Sequence, residues 1–159
     1  MRISKHALRV LELVESKRHL SFQDTGGVWT IGIGHTRNVG PDMEADDEMI
    51  YAWLGEDMAM VDAAIKNLVL VPLTQPHLDA LALFVFNKGV NAFARSTLLK
   101  RVNARIWDDV PAQLGRWHFD NGNDVYGLRV RSAVEQFVWL GNAPKIDTDF
   151  IEVLRRTFR

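Results

Sequence analysis

The chain has no cysteine, which excludes a disulfide framework and any thiolate metal site. It also lacks a long apolar run. Its first residues, MRISKHALRVLELVESKRHL, carry basic side chains, but Arg9 and Glu12 interrupt the hydrophobic stretch. That pattern predicts neither a signal peptide nor a membrane anchor. No sign of charge dominates: 19 basic side chains stand against 20 acidic ones, for a net charge of -1. There is therefore no global case for nucleic acid or another polyanion as partner. The charge is unevenly spread, with 7 basic against 11 acidic residues over positions 1–70 (net -4) and 12 against 9 over 71–159 (net +3). Solvated helix faces are the ordinary source of such an imbalance. The sequence shows no internal repeat and no low-complexity linker.

What is present is an ordinary globular composition, 47% hydrophobic and 25% charged over 159 residues. This suits one domain, or two small lobes sharing a core. Ser4 is placed to cap a helix whose apolar face is Ala7, Leu8, Val10, Leu11 and Val14, ending near Glu15 to Lys17. Two β-prone runs, Leu20–Asp24 and Val28–Ile33, flank Thr25-Gly26-Gly27 and read as a hairpin. Gly40-Pro41 closes this region. The remainder reads as helices. One is capped by Asp46, with Gly55 leaving open whether it splits. Another is capped by Thr74, with Leu78, Leu81, Ala82, Val85 and Phe86 inward and Gly89 as its stop. Ser96 caps Thr97–Val102, and Trp107–Trp117 comes next, with Pro111 tolerable only in a first turn. His118–Gly127 reads as loop and Leu128–Leu140 as helix. The expected class is α+β: a hairpin lobe attached to a helical bundle, with a ligand cleft between them.

The stretch GGVWTIGIGHT, Gly26 to Thr36, concentrates four glycines, two threonines and a histidine. A packed core does not require that mixture, whereas a site that brings backbone close to a ligand does. Glu15 sits at the C-terminal end of the first helix, where unpaired carbonyls disfavour a carboxylate and raise its expected pKa. Asp24 lies on the hairpin's first strand, close to the turn and thus to solvent, and is expected to stay ionised. Two carboxylates with divergent pKa values are the pair that glycoside cleavage needs. Taken singly, a Glu after a helix is usually a solvated residue, and an Asp before Gly-Gly is usually a turn former.

The spacing changes that weighting. Glu15, Asp24, Thr30 and then IGIGHT resemble the catalytic signature of the phage-type lysozymes, a glycoside hydrolase family of endolysins. VPLTQPHLDAL (Val71–Leu81), LFVFNKG (Leu83–Gly89), FARSTLLKRVN (Phe93–Asn103), Trp117, and Gly127-Leu128 with Arg129, Arg131 and Glu135 after them are similar to family segments in family order. The resemblance runs from about Ser4 to Gly141. It implies a lysozyme-like domain over 1–141 with two lobes; beyond the family pattern, Asp147 can cap a helix in DTDFIEVLRRTFR with Phe150, Ile151, Leu154 and Phe158 on one face, so the extension over 142–159 reads as helical and packed on that domain. The resemblance implies a muramidase that hydrolyses the β-1,4 bond between N-acetylmuramic acid and N-acetylglucosamine in peptidoglycan. Glu15 would donate the proton, Asp24 would be the second carboxylate, and Thr30 would place the water.

The resemblance also places substrate contacts at Gly34, Thr36, Phe86, Ser96 and Gln113. His35, Arg129 and Arg131 would give structural support. Gly32 and Gly34 would let backbone approach a sugar. Val130 separates arginines that are often adjacent in the family, so which of Arg129 and Arg131 faces the catalytic Glu stays open. No metal and no cofactor are implied. The expected partners are peptidoglycan and a holin-type permeabiliser, the chain acting as a monomer that waits in the host cytoplasm. The basic tail, with Arg155, Arg156 and Arg159, adds a candidate outer-membrane contact. Two other classes compete with this reading: a catalytically silent wall-binding or scaffold module, and a lytic transglycosylase, which needs the Glu but no water-positioning Asp and Thr.

Overall fold

A computed structural model describes residues 2–24, 26–120 and 122–159. Met1, Thr25 of the predicted hairpin turn and Asn121 of the predicted loop lie outside the described residues. In chain order the elements are α1 (Lys5–Val14), β1 (Arg18–Gln23), β2 (Trp29–Gly32), α2 (Asp47–Leu68), α3 (Gln75–Lys88) and α4 (Val90–Arg95). Then come α5 (Thr97–Asn103), α6 (Val110–Gly115), β3 (Phe119–Asp120), β4 (Asn123–Asp124), α7 (Tyr126–Trp139) and α8 (Thr148–Thr157). The class is the expected α+β, with a small antiparallel hairpin and a mostly helical remainder. Two compact units divide the chain: Glu15–Met60, and Met1–Val14 with Val61–Arg159.

In the Glu15–Met60 unit, β1 and β2 pair with Phe22 opposite Thr30 and Gln23 opposite Trp29, and the register shifts between Arg18 and Phe22. The other edge of β1 takes a third segment: Ser21 N–H donates to the Met43 carbonyl at 2.9 Å, and Ala45 N–H to the His19 carbonyl at 2.9 Å. Asp46 caps α2, its carboxylate accepting from Met49 N–H at 2.9 Å. Asp47 in the first turn accepts from Lys17 Nζ at 2.8 Å. That bond, with the nearby charges of Lys17 and His19, holds the Asp47 carboxyl below the usual carboxylate range. Gly55 does not split α2. A Cβ there would meet open space, and the buried ridge of Ile50, Leu54, Met58, Val61 and Ile65 offsets a glycine cost of about 1 kcal/mol.

The helical unit is built around α3, in which every residue from Leu78 to Val85 is buried. A helix apolar all round belongs in a core rather than on a surface. This corrects the one-sided face predicted for it, and Phe86 at its emerging end is only half-buried. Asp79 is the polar exception. Its carboxylate accepts from Ser4 N–H (2.9 Å), Ser4 Oγ (2.6 Å) and Gln75 Nε2 (2.9 Å). Ser4 Oγ in turn accepts from Ala7 N–H at 3.2 Å, so one hydroxyl caps α1 and ties it to α3.

Three local predictions are corrected. The helix expected over Trp107–Trp117 opens as a 3₁₀ turn, Trp107–Asp109, before α6. An α-helical bond to the Trp107 carbonyl would have to come from Pro111, which has no N–H, and Val110 N–H donates there instead. The predicted loop His118–Gly127 contains the β3–β4 hairpin, and α7 starts at Tyr126. α4, six residues long, is too short to show a period. At the C-terminus Asp147 caps α8 through Phe150 N–H at 2.8 Å. Phe150 stacks on Phe137 with centroids 4.6 Å apart, Ile151 is buried, and Tyr126 Oη donates to the Arg155 carbonyl at 2.7 Å.

Candidate active site

Six of the expected site residues belong to the Glu15–Met60 unit: Glu15, Asp24, Thr30, Gly34, His35 and Thr36. Glu15 is half-buried at the first position beyond α1. The core positions Ala7, Val10 and Leu11 fix the helix that delivers it.

Asp24 lies one residue past β1, in the turn rather than on the strand. Its Oδ1 accepts from Gly26 N–H at 2.9 Å and Val28 N–H at 2.8 Å, and its own N–H donates to the Val28 carbonyl at 3.0 Å. This is an Asx-type closure of the hairpin. It holds the carboxylate at an exposed position and does not engage Oδ2. Thr30 is opposite Phe22, two residues along from Asp24. It is buried, and its Oγ1 donates to the Val28 carbonyl at 3.1 Å.

After β2 the chain turns back on itself, with Ile31 N–H donating to the His35 carbonyl at 2.9 Å and His35 N–H to the Ile31 carbonyl at 3.0 Å. Gly32 and Gly34 take positive φ here, +66° and +75°. Gly32 is buried, and a Cβ on it would stand 3.2 Å from both Cγ atoms of Ile50. Its requirement is the turn and the packing on Ile50, which corrects the expectation that it exposes backbone to a ligand. His35 is buried, its Nδ1 2.7 Å from Asp57 Oδ2, and its ring stacks on Trp53 at 4.9 Å. Asp57 also lies 3.6 Å from Arg37. Sequence reasoning missed Asp57 and Trp53. Their only signal was a place on one helix, and the loop they meet is set by packing.

Five expected residues belong to the helical unit. Phe86 is half-buried at the end of α3. Ser96 is the N-cap of α5: its Oγ accepts from Leu99 N–H at 3.0 Å and donates to the Phe93 carbonyl at 2.7 Å. Gln113 is buried and donates from Nε2 to Asp109 at 3.1 Å. Arg129 is gripped by Asp124, with Nε 2.6 Å from Oδ1 and Nη2 on Oδ2. Arg131 donates from Nη1 to Asn87 Oδ1 at 3.1 Å, and Asn87 Nδ2 faces the buried Glu135 at 3.5 Å. Asn87 is a further residue that sequence reasoning did not single out. Among the described residues no cluster of His, Asp and Glu is arranged to hold a metal ion.

Comparison with known proteins gives one consistent picture. The family model for phage lysozyme matches residues 12–135. The SAR-endolysin of Escherichia phage Mu is 41% identical over 129 residues, covering 79% of this chain and 74% of that protein. Among solved structures, the muramidase domain of SpmX from Asticaccaulis excentricus superposes with a TM-score of 0.79 at 32% identity, covering 87% of this chain and 97% of that one. A P22 lysozyme variant gives 0.74 at 32% identity, covering 88% and 99%.

Proposed function

This chain belongs to the phage lysozyme family, and from that premise we propose that it hydrolyses the β-1,4 bond between N-acetylmuramic acid and N-acetylglucosamine, with Glu15 as general acid and Asp24 as second carboxylate. At the coarser level it is a muramidase-type peptidoglycan hydrolase of the endolysin class. The observation that carries the finer reading is the Asp24–Thr30 arrangement. Among the described residues the turn fastens Asp24 through Oδ1, while the Thr30 proton is committed to the Val28 carbonyl.

Each feature has a chemical use. A fixed, exposed carboxylate suits the stabilisation of positive charge developing at the anomeric carbon, or the activation of water there. A hydroxyl whose proton is engaged presents its oxygen as an acceptor, so Thr30 orients a water by accepting one of its protons. Glu15, at the end of α1, protonates the departing glycosidic oxygen. Arg129 is held by Asp124 and Arg131 by Asn87, so each arginine is fixed by its own neighbour. The His35–Asp57 bond and the Trp53 stack keep the Gly34–Thr36 backbone in shape to meet the glycan.

The test is activity on purified peptidoglycan. The wild-type chain should release new reducing ends, and Glu15→Gln should slow this by about 10²–10⁴-fold with the fold intact. A variant that cleaves at the wild-type rate removes Glu15 from the mechanism. Products ending in 1,6-anhydromuramic acid would make the protein a transglycosylase instead. The anomer first released separates inversion from retention.

No helix among the described residues is long and apolar enough to cross a membrane. We also propose that the enzyme acts as a monomer and depends on a holin-type permeabiliser to reach the wall. Expression in a Gram-negative host should leave cells intact until the inner membrane is permeabilised. The proposed outer-membrane contact through Arg155, Arg156 and Arg159 would be electrostatic, because Phe150 and Ile151 already pack within the domain.

A further inference from the structure

The helical unit carries a groove of about 440 Å³ that contains none of the candidate catalytic or substrate residues. Its lining includes Thr74, His77, Trp107, Asp108, Trp139 and Leu140. The volume is in the range of pockets that take small organic ligands. Three aromatic rings form its floor. His77 stacks on Trp139 with centroids 3.9 Å apart and planes within 11°, and lies 5.2 Å from Trp107 at 26°. The two indoles are only 6.1 Å apart. That is too close for them to sit on opposite faces of one imidazole, so Trp107 flanks the stack and one face of His77 is left without a ring.

A cluster whose sole purpose was packing would bury its polar atoms with partners. Here His77 Nδ1 is buried with no hydrogen-bond partner among the described residues. Leaving such an atom unsatisfied is unfavourable, so satisfying its own polar atoms does not account for the ring's place at the groove; Nδ1 itself is closed to an occupant. Burial also holds the imidazole below the ordinary histidine range, so it is neutral near pH 7, with one nitrogen as donor and the other as acceptor. Around it stand a hydroxyl (Thr74), a carboxylate (Asp108) and the exposed side chain of Leu140.

We propose that this groove is a second glycan-binding site, taking an N-acetylated hexopyranose of the wall polymer, with the sugar's C–H face on the His77 and Trp107 rings and its polar edge on His77, Thr74 and Asp108. The ligand class is set by the chemistry. A pyranose presents a flat array of C–H bonds on one side and hydroxyl and acetamido groups around its rim. That matches an aromatic floor with a few neutral or acceptor groups at its edge, and it requires no balancing positive charge. The proposal rests on the reading that the chain acts on peptidoglycan, whose strand repeats the same sugars. A second contact on a repeating polymer raises its retention without altering the chemistry at the first site.

The experiment uses the full chain as Glu15→Gln, titrated with an oligomer of four N-acetylglucosamine units while the assigned indole N–H resonances are monitored. Trp107 and Trp139 should shift saturably. His77→Phe keeps a ring on Trp139 and the melting temperature, but lacks the nitrogens. It should lose most of those two shifts and bind purified peptidoglycan at least about fivefold more weakly, a small part of the roughly 10²–10⁴-fold that a second linked contact can add. In the Glu15 background, His77→Phe should cleave short soluble oligosaccharides at the unmodified rate and insoluble peptidoglycan more slowly. Indoles that stay unshifted at saturating oligomer overturn the proposal. So does a His77→Phe variant that binds peptidoglycan as tightly as its parent, or a groove that responds to the free stem peptide and not to the sugar. Failure of the proposed activity gives a different result: peptidoglycan left uncut by the Glu15 chain, with the indole shifts intact.

Discussion

At Asp24 the same oxygen that belongs to a carboxylate also closes a turn, and the two roles separate by substitution. Asp24→Asn retains Oδ1 as acceptor for Gly26 and Val28 N–H but loses the charge. It should lose most muramidase activity and keep its melting temperature; if it stays active, Asp24 is only a turn residue. His35 depends on Asp57 in the opposite sense. Asp57→Ala removes the carboxylate from a buried imidazole, and losing a hydrogen bond to a charged group costs about 1.5–3 kcal/mol. Thermal unfolding should show this as a fall of roughly 3–12 °C for a chain of this size. An unchanged melting temperature would show that the Trp53 stack alone holds the loop.

At the scale of elements, the fold relies on a few polar anchors within apolar surfaces. The Ser4–Asp79–Gln75 cluster docks the first turn of α1 on α3, the helix buried along most of its length. Asp79→Ala leaves buried donors without a partner, at about 1–3 kcal/mol, and calorimetry on the variant measures it. The junction of α3 with α7 at His77 gives a pH signature. Its folded-state pKa is depressed by burial, so the folded state binds fewer protons than the unfolded chain. Stability from this group is present above the ordinary histidine pKa and declines as the pH falls through it toward the lower folded value. Between about pH 7 and pH 5 the melting temperature should therefore fall less steeply in His77→Phe than in the wild type. Parallel slopes would show that the ring does not resist protonation.

At the scale of the whole molecule, the tail is the part whose role differs most between readings. Its apolar side is engaged: Phe150 on Phe137, Ile151 in the core, and Tyr126 on the Arg155 carbonyl. Removing residues 146–159 should lower the melting temperature clearly, and Ile151→Ala alone should cost about 2–5 kcal/mol. A truncated chain that melts normally but no longer binds anionic vesicles would instead make α8 a membrane element.

The sequence by itself determined the features that depend on near neighbours along the chain. The apolar stripe of α1, the caps at Ser4, Asp46, Ser96 and Asp147, the stop at Gly89, the hairpin around Gly26-Gly27, and the spacing of Glu15, Asp24 and Thr30 are all local relations. Local order falls below the legible limit in α4 and the β3–β4 hairpin, because six residues, or two, do not complete a pattern. Tertiary structure decided the pairings between distant positions. His35 meets Asp57 from another element, and Ser4 meets Asp79 75 residues away. Arg131 meets Asn87, and His77 meets Trp139. Each depends on which faces pack and in what rotation. A side chain's place in the sequence sets which face of its helix it occupies, and only the packed neighbours set what that face touches.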